Sequence, residues 1–162
     1  MNATATLIKL LKLVGFINNH PGGDMDAELI KLADGFYLRN AVDNIAWADM
    51  GDHVLVVDAL EESQLADEIL ADIQKTMGDK PVKTVVNTHL HYDHVALNPV
   101  FARMGADLVS YRTYPQGHEF AGEHRGARLV PLPGCHTKDD IVVFFPEDKI
   151  LFVGDIFGWG LI

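Results

Sequence analysis

The chain has 162 residues, of which 48 % are apolar and 22 % charged. That length suits one domain, and that composition supplies a core and excludes a long disordered chain. A formal net charge of −10 works against nucleic-acid phosphate and anionic lipid, so neither nucleic acid nor a membrane is expected as a partner. No apolar run is long enough to span a bilayer. The single cysteine, Cys135, cannot form an internal disulfide, which fits a reducing, cytoplasmic setting; it reads as a small buried filler.

Residues 3–17 read as a short helix interrupted by Lys9 and Lys12, and the turn-rich stretch 18–23 breaks it. Residues 1–27 are therefore assigned as an N-terminal helix and linker, and 28–162 as the folded domain. Short strands are expected at 29–32, 35–39 and 45–47, with Ala33-Asp34-Gly35 as a turn. Residues 53–58 form a buried strand ending in the carboxylate of Asp58. Leu65, Ile69, Ile73 and Met77 recur every fourth residue, which predicts a helix over 61–77, with Gly78 where a C-cap belongs. A buried strand at 82–86 runs into Asn87-Thr88-His89, and a helix at 95–104 has its regular part set late by Pro99. Further strands are expected at 107–111, 128–132, 141–145 and 150–153. The pattern calls for an α/β fold with a mixed sheet covered by helices on one face.

The strongest chemical signal is His89-Leu90-His91-Tyr92-Asp93-His94, between a buried strand and a helix. His89 and His91, two apart in an extended segment, leave the chain on the same side. Asp93 and His94 follow at the turn and can aim at a neighbouring point. Imidazole and carboxylate suit zinc and related divalent ions. A surface loop rich in histidine is the competing reading, weakened by the buried strand that precedes it. Two later signals follow in order: His136, in the loop Pro133-Gly134-Cys135-His136-Thr137, and Asp155, at the end of the buried strand that finishes in Gly154-Asp155. Alone, either would be ordinary. His118 and His124 read as exposed helix or loop residues, and His20 and His53 carry no pattern.

The string Thr88-His89-Leu90-His91-Tyr92-Asp93-His94 resembles the Thr-His-x-His-x-Asp-His signature of the metallo-β-lactamase-fold hydrolases. Asp58, His136 and the Gly154-Asp155 pair are similar to that family's other motifs. The resemblance spans about residues 28–155. It implies the N-terminal half of a four-layer αββα sandwich, incomplete at the C-terminus, in which the last ligand histidine of the family has no counterpart. It also implies that His89, His91 and His136 hold one metal, that Asp93 and His94 hold a second, and that Asp155 bridges them. Asp58 would steady the ligand loop through hydrogen bonds. One or two Zn2+ ions are expected, with Fe or Mn as alternatives.

A small-molecule ester, thioester, lactone or phosphodiester is the expected substrate. It would be hydrolysed by a metal-activated water that Asp93, the catalytic carboxylate, orients. A catalytically incomplete metal-binding or oligomerising fragment, or an iron-dependent oxidoreductase of the same fold, are the alternatives. Because a half-sandwich leaves an apolar sheet face, a homo-oligomer or a missing C-terminal half is expected to cover it.

Overall fold

The computed structural model describes residues 28–40 and 43–157. The expected helix at 3–17, His20 and the tail 158–162 lie outside them. Among the described residues, ten strands form two sheets. The first has the order β1-β2-β3-β4-β5-β6 and comprises β1 (Glu28–Ala33), β2 (Phe36–Asn40), β3 (Asn44–Asp49), β4 (Val54–Val57), β5 (Val82–Val86) and β6 (Asp107–Val109). The second has the order β10-β9-β8-β7 and comprises β7 (His118–Phe120), β8 (Ala127–Pro131), β9 (Ile141–Phe145) and β10 (Ile150–Phe152).

Strands β1 to β4 form an antiparallel meander, whereas β4, β5 and β6 run parallel. Parallel neighbours require crossovers, and two helices supply them. Helix α1 (Ala66–Met77) lies between β4 and β5, and α2 (Asn98–Arg103) between β5 and β6. Every residue of β4 is buried, as a strand covered on both faces requires. Its Val54 and Val56 join Trp47, Val85, Ile69, Ile73 and Phe101 on the helix side. Leu55 and Val57 face the other way, with Phe36, Leu38 and Val86. There they meet Leu129, Ile141, Val143 and Phe145 of the second sheet. The layers are therefore helices, six-stranded sheet, four-stranded sheet.

This corrects one expectation. The inner face of the main sheet is not open, because β7 to β10 fold over it instead of extending it. In β9 the alternation sends Val143 and Phe145 inward, while Phe144 on the opposite face is only half-buried. Helix α1 begins later than periodicity suggested, since residues Ser63–Leu65 form a 3-10 turn; Gly78 ends it at φ 65°. Helix α2 is shorter than expected and starts with Pro99 in its first turn, where a missing N–H costs nothing. Strand β7 falls in a segment read as helix or loop. Cys135 is exposed, not a buried filler, because its loop projects from the sheet end. No helix among the described residues is long and apolar enough to cross a membrane.

Phe36 joins the two sheets. It is fully buried, its ring meets Phe145 edge-on at 4.6 Å, and Phe152 stacks on it at 5.8 Å. The guanidinium of the buried Arg125 lies 5.3 Å from its centroid. The substitution Phe36→Ala should therefore destabilise the fold by about 3–5 kcal/mol, read as a lower urea midpoint. A loss below about 1 kcal/mol would show that the sheets do not depend on this contact.

Candidate metal centre

Strands β4 and β5 end at the same edge, and three loops converge there. The first follows β5 and carries His89 to His94. Its start is held by Asp58, in the positive-φ region at 60° just after β4. The Thr88 N–H donates to Asp58 Oδ1 at 2.8 Å, and the Thr88 hydroxyl donates to Oδ2 at 2.8 Å. Its end is held by Asn87, whose amide donates to the His94 carbonyl at 2.7 Å, while the Asn98 amide donates to Asn87 at 2.8 Å. Between these anchors Tyr92–His94 form a single 3-10 turn, so successive side chains fan out rather than alternate.

The second loop joins β8 to β9 and carries His136. Asp140 organises it from a fully buried position, accepting the N–H of His136 at 2.7 Å and the Thr137 hydroxyl at 2.6 Å. Burial works against that carboxylate, but these hydrogen bonds hold its pKa below the ordinary value. The third loop follows β10. Gly154 sits there at φ 52°, where a Cβ would come within 2.8 Å of Thr88 Cβ. Only glycine lets Asp155 approach this closely.

The six residues singled out in the sequence come together. Ligand atoms of His89, His91 and His136 lie within 4.8 Å of one another, and so do those of His89, Asp93 and His94. His91 Nδ1 and His136 Nε2 are 3.3 Å apart. Asp155 stands between the two groups. Its Oδ2 is 3.9 Å from His89 Nε2 and 3.7 Å from His136 Nε2, and its Oδ1 is 3.3 Å from His94 Nε2. His89 Nε2 and Asp93 Oδ1 are buried without a hydrogen-bond partner. Orphaned donor atoms of this kind, converging on one point, fit a divalent cation, which satisfies several at once.

Burial and then the neighbouring His94 lower the pKa of His89, which keeps it neutral and able to coordinate. His94 behaves oppositely. Burial pulls its pKa down, but the carboxylates of Asp58 and Asp155 outweigh that and raise it to about 11. Asp58 Oδ2 is 3.0 Å from His94 Nδ1, close enough to pair charges though not aligned as a hydrogen bond.

Comparison with known proteins bears on this arrangement. The family model described as the metallo-beta-lactamase superfamily matches residues 44–107. A metallo-beta-lactamase from Pontibacter korlensis superposes with a TM-score of 0.68 at 21 % identity, covering 79 % of this chain and 71 % of that one. The chain has the metallo-β-lactamase fold. The enzyme of Hirschia baltica is similar to it, with a TM-score of 0.64, 22 % identity, and coverage of 80 % and 71 %. A flavoprotein from Thermotoga maritima also shares the fold, with a TM-score of 0.62 and 15 % identity over 88 % of this chain, which spans only 45 % of that one. No curated protein matches the chain in sequence.

Other histidines of this metallo-β-lactamase-fold chain lie elsewhere. His118 is in β7, stacked on Tyr114 at 4.0 Å, and is half-buried rather than exposed. His124 is 3.3 Å from Asp49, at the opposite end of β3 from the site. Two residues that matter were missed in the sequence. Asp140 had a local sign, the Thr137-x-x-Asp140 spacing of a side-chain-capped turn. Asp43 had none. It precedes β3, its Oδ2 is buried without a partner, and burial followed by the nearby charge of Glu61 raises its pKa to about 6.

Two outcomes follow from these anchors. Replacing Asp140 by Ala frees two backbone N–H groups and the Thr137 hydroxyl, so the His136 loop should lose its shape. Bound metal, measured by elemental analysis after gel filtration, should fall at least tenfold while the folded fraction by circular dichroism stays above half. For His94, a folded pKa above the ordinary 6.5 means that its stabilising charge is fully present below about pH 6.5 and is lost as pH rises towards about 11. The metal-free protein should therefore lose thermal stability from pH 7 to pH 10, and His94→Gln should flatten that slope. An unchanged slope in the variant would show that His94 is not the titrating group.

Proposed function

We propose that the chain is the metal-binding part of a hydrolase that uses a water activated by one or two divalent cations, zinc first among them. The observation that carries this reading is the pair of buried, unpartnered atoms His89 Nε2 and Asp93 Oδ1 within the histidine cluster. His89, His91 and His136 would hold one ion, with Asp93 and His94 as ligands of a second and Asp155 shared between them. A bound divalent ion supplies a water of pKa near 7, and hence a nucleophile at neutral pH.

The chain's own residues do the rest. Asp93 is the acceptor for the proton of the attacking water. Asp155 presents one oxygen to each group of ligands, which holds the two groups in register. Asp58 neutralises His94 from behind and fixes the loop that carries both. No serine or cysteine nucleophile is required. Esters, thioesters, lactones and phosphodiesters are the substrate types that suit such a site.

A second reading has one observation in its favour. Among the similar structures is a flavo di-iron protein of Thermotoga maritima, at a TM-score of 0.61 and 15 % identity. An iron-loaded oxidoreductase would use the same side chains. The two readings part on metal and turnover. Protein purified without added metal should contain zinc, and a panel of p-nitrophenyl esters, thioesters, lactones and bis-p-nitrophenyl phosphate should reveal one class hydrolysed. His89→Ala should lose both the metal and at least a hundredfold of the rate. Iron with a visible absorption band and no hydrolysis across the panel would establish the oxidoreductase reading instead.

A further inference from the structure

A leucine in the left-handed region is strained, because its Cβ crowds the neighbouring carbonyl, and the conformation persists only where the surroundings impose it. Three described residues other than glycine have positive φ: Asp58 at 60°, Leu60 at 54° and Lys149 at 58°. Lys149 lies in the hairpin turn between β9 and β10, where positive φ is ordinary. Asp58 has a short polar side chain, of the kind that tolerates this region, and it is bonded to Thr88. Neither account covers Leu60.

Its hydrogen bonds show what the conformation does. In an extended chain the N–H and carbonyl of one residue point to one side, and those of the next to the other. Ala59 donates its N–H to the His94 carbonyl at 3.0 Å and accepts the Leu97 N–H at 2.9 Å. An extended Leu60 would turn its carbonyl away from that partner. At φ 54° the carbonyl instead accepts the Ala96 N–H at 2.9 Å. Three main-chain bonds thus tie residues 59–60 to the segment that runs from His94 to the start of α2. The side chain keeps the turn in place. Leu60 is 2 % exposed and belongs to the helix-side core with Ile69, Leu97 and Phe101. A return to negative φ would withdraw it from that core, and burial of a leucine offsets the strain of one left-handed residue.

We propose that Leu60 is a positioning residue of the candidate metal centre: its buried side chain holds a left-handed turn whose carbonyl, together with both main-chain groups of Ala59, fixes the segment that carries His94. The His94 ring lies 3.0 Å from Asp58 without an aligned hydrogen bond and 3.3 Å from Asp155. The place of that ring therefore follows from the place of its backbone, and residues 59 and 60 set the backbone.

The inference rests on the metal-binding reading for the ligand role of His94 and not for the turn itself, and two measurements separate them. Leu60→Gly and Leu60→Ile divide backbone from side chain. Glycine adopts φ 54° without strain but leaves the core unfilled. Isoleucine keeps the volume, but its branched Cβ opposes positive φ. Both should stay folded by circular dichroism. Co2+ titrated into the metal-free chain and followed by visible absorption should bind Leu60→Gly within about threefold of wild type and Leu60→Ile at least about tenfold more weakly, the scale of one strained residue. The reverse order would make Leu60 a core filler only and overturn the proposal, as would equal affinities in all three chains. Hydrogen exchange at the Ala96 and Leu97 N–H groups of the metal-free chain reads the same turn without a metal. It should be slow in wild type and Leu60→Gly and at least about tenfold faster in Leu60→Ile. Fast exchange at these amides in wild type would overturn the proposal without recourse to a variant. Wild type that takes up no Co2+ but shows the expected exchange pattern would remove the metal-binding reading and keep Leu60 as the residue that places His94. Tight Co2+ uptake with equal exchange in all three chains would do the opposite.

Discussion

Everything at the candidate metal centre depends on where Thr88 is held. Its N–H and hydroxyl are both taken by Asp58, which closes the end of β4 against the end of β5. Its carbonyl accepts the N–H of Ile141, the first residue of β9, at 2.8 Å. Its side chain lies where a Cβ on Gly154 would be. One buried threonine thus touches the structure behind all three ligand loops; it follows β5 of the six-stranded sheet, while Ile141 opens β9 and Gly154 follows β10 of the four-stranded one. Hydrogen bonds to a buried carboxylate are shorter and about twice as strong as neutral ones, and their direction is fixed. The distance between His89, His136 and Asp155 is consequently set by the packing of one sheet on the other.

That constraint explains the electrostatic character of the site. Bringing four histidines and several carboxylates to one sheet edge places like charges close together in a poorly solvated volume. The protein handles this unevenly. In the metal-free chain His89 is desolvated and its pKa lowered, whereas His94, given two carboxylates, holds a proton that a bound metal would displace. Asp43, partly buried and facing other acids, binds its proton more tightly than a free carboxyl. A site of ordinary stability would not gather these groups. The stabilising interactions lie elsewhere, in the two apolar layers above and below β4 and in the aromatic contact of Phe36 with Phe145.

Much of the chain's secondary structure is legible from side-chain pattern. The strands at 82–86 and 141–145 have the bounds that the sequence indicates, because each is a short β-prone segment between turn residues, the second fully apolar and the first interrupted only by Lys83 and Thr84. Helix α1 is legible through Ile69, Ile73 and Met77, which are the residues it buries. Strand β7 is not, since three residues reading His-Glu-Phe carry too little periodicity to distinguish a strand from a loop. The division into two sheets is also hidden. Alternation shows that a strand has an inside and an outside but not which strand lies beside it, and β8 to β10 alternate in the same way as members of the main sheet would.

For the site, the amino-acid order alone determined the donor set: three histidines and an aspartate in six residues, then His136 and Asp155 after further strands. Donor type and local spacing are properties of the chain, so they can be read before it folds. Tertiary structure decided the rest. It placed Asp155 between two groups of ligands, at 3.3 Å from His94 and 3.7 Å from His136. It set Asp140 beneath the His136 loop, separated His118 and His124 from the centre, and brought Asp43 from before β3 towards the same carboxylates. It also turned Tyr92 outward by winding its loop into a 3-10 turn. Each of these depends on distances between residues far apart in the chain, and those distances exist only once the sheets have packed.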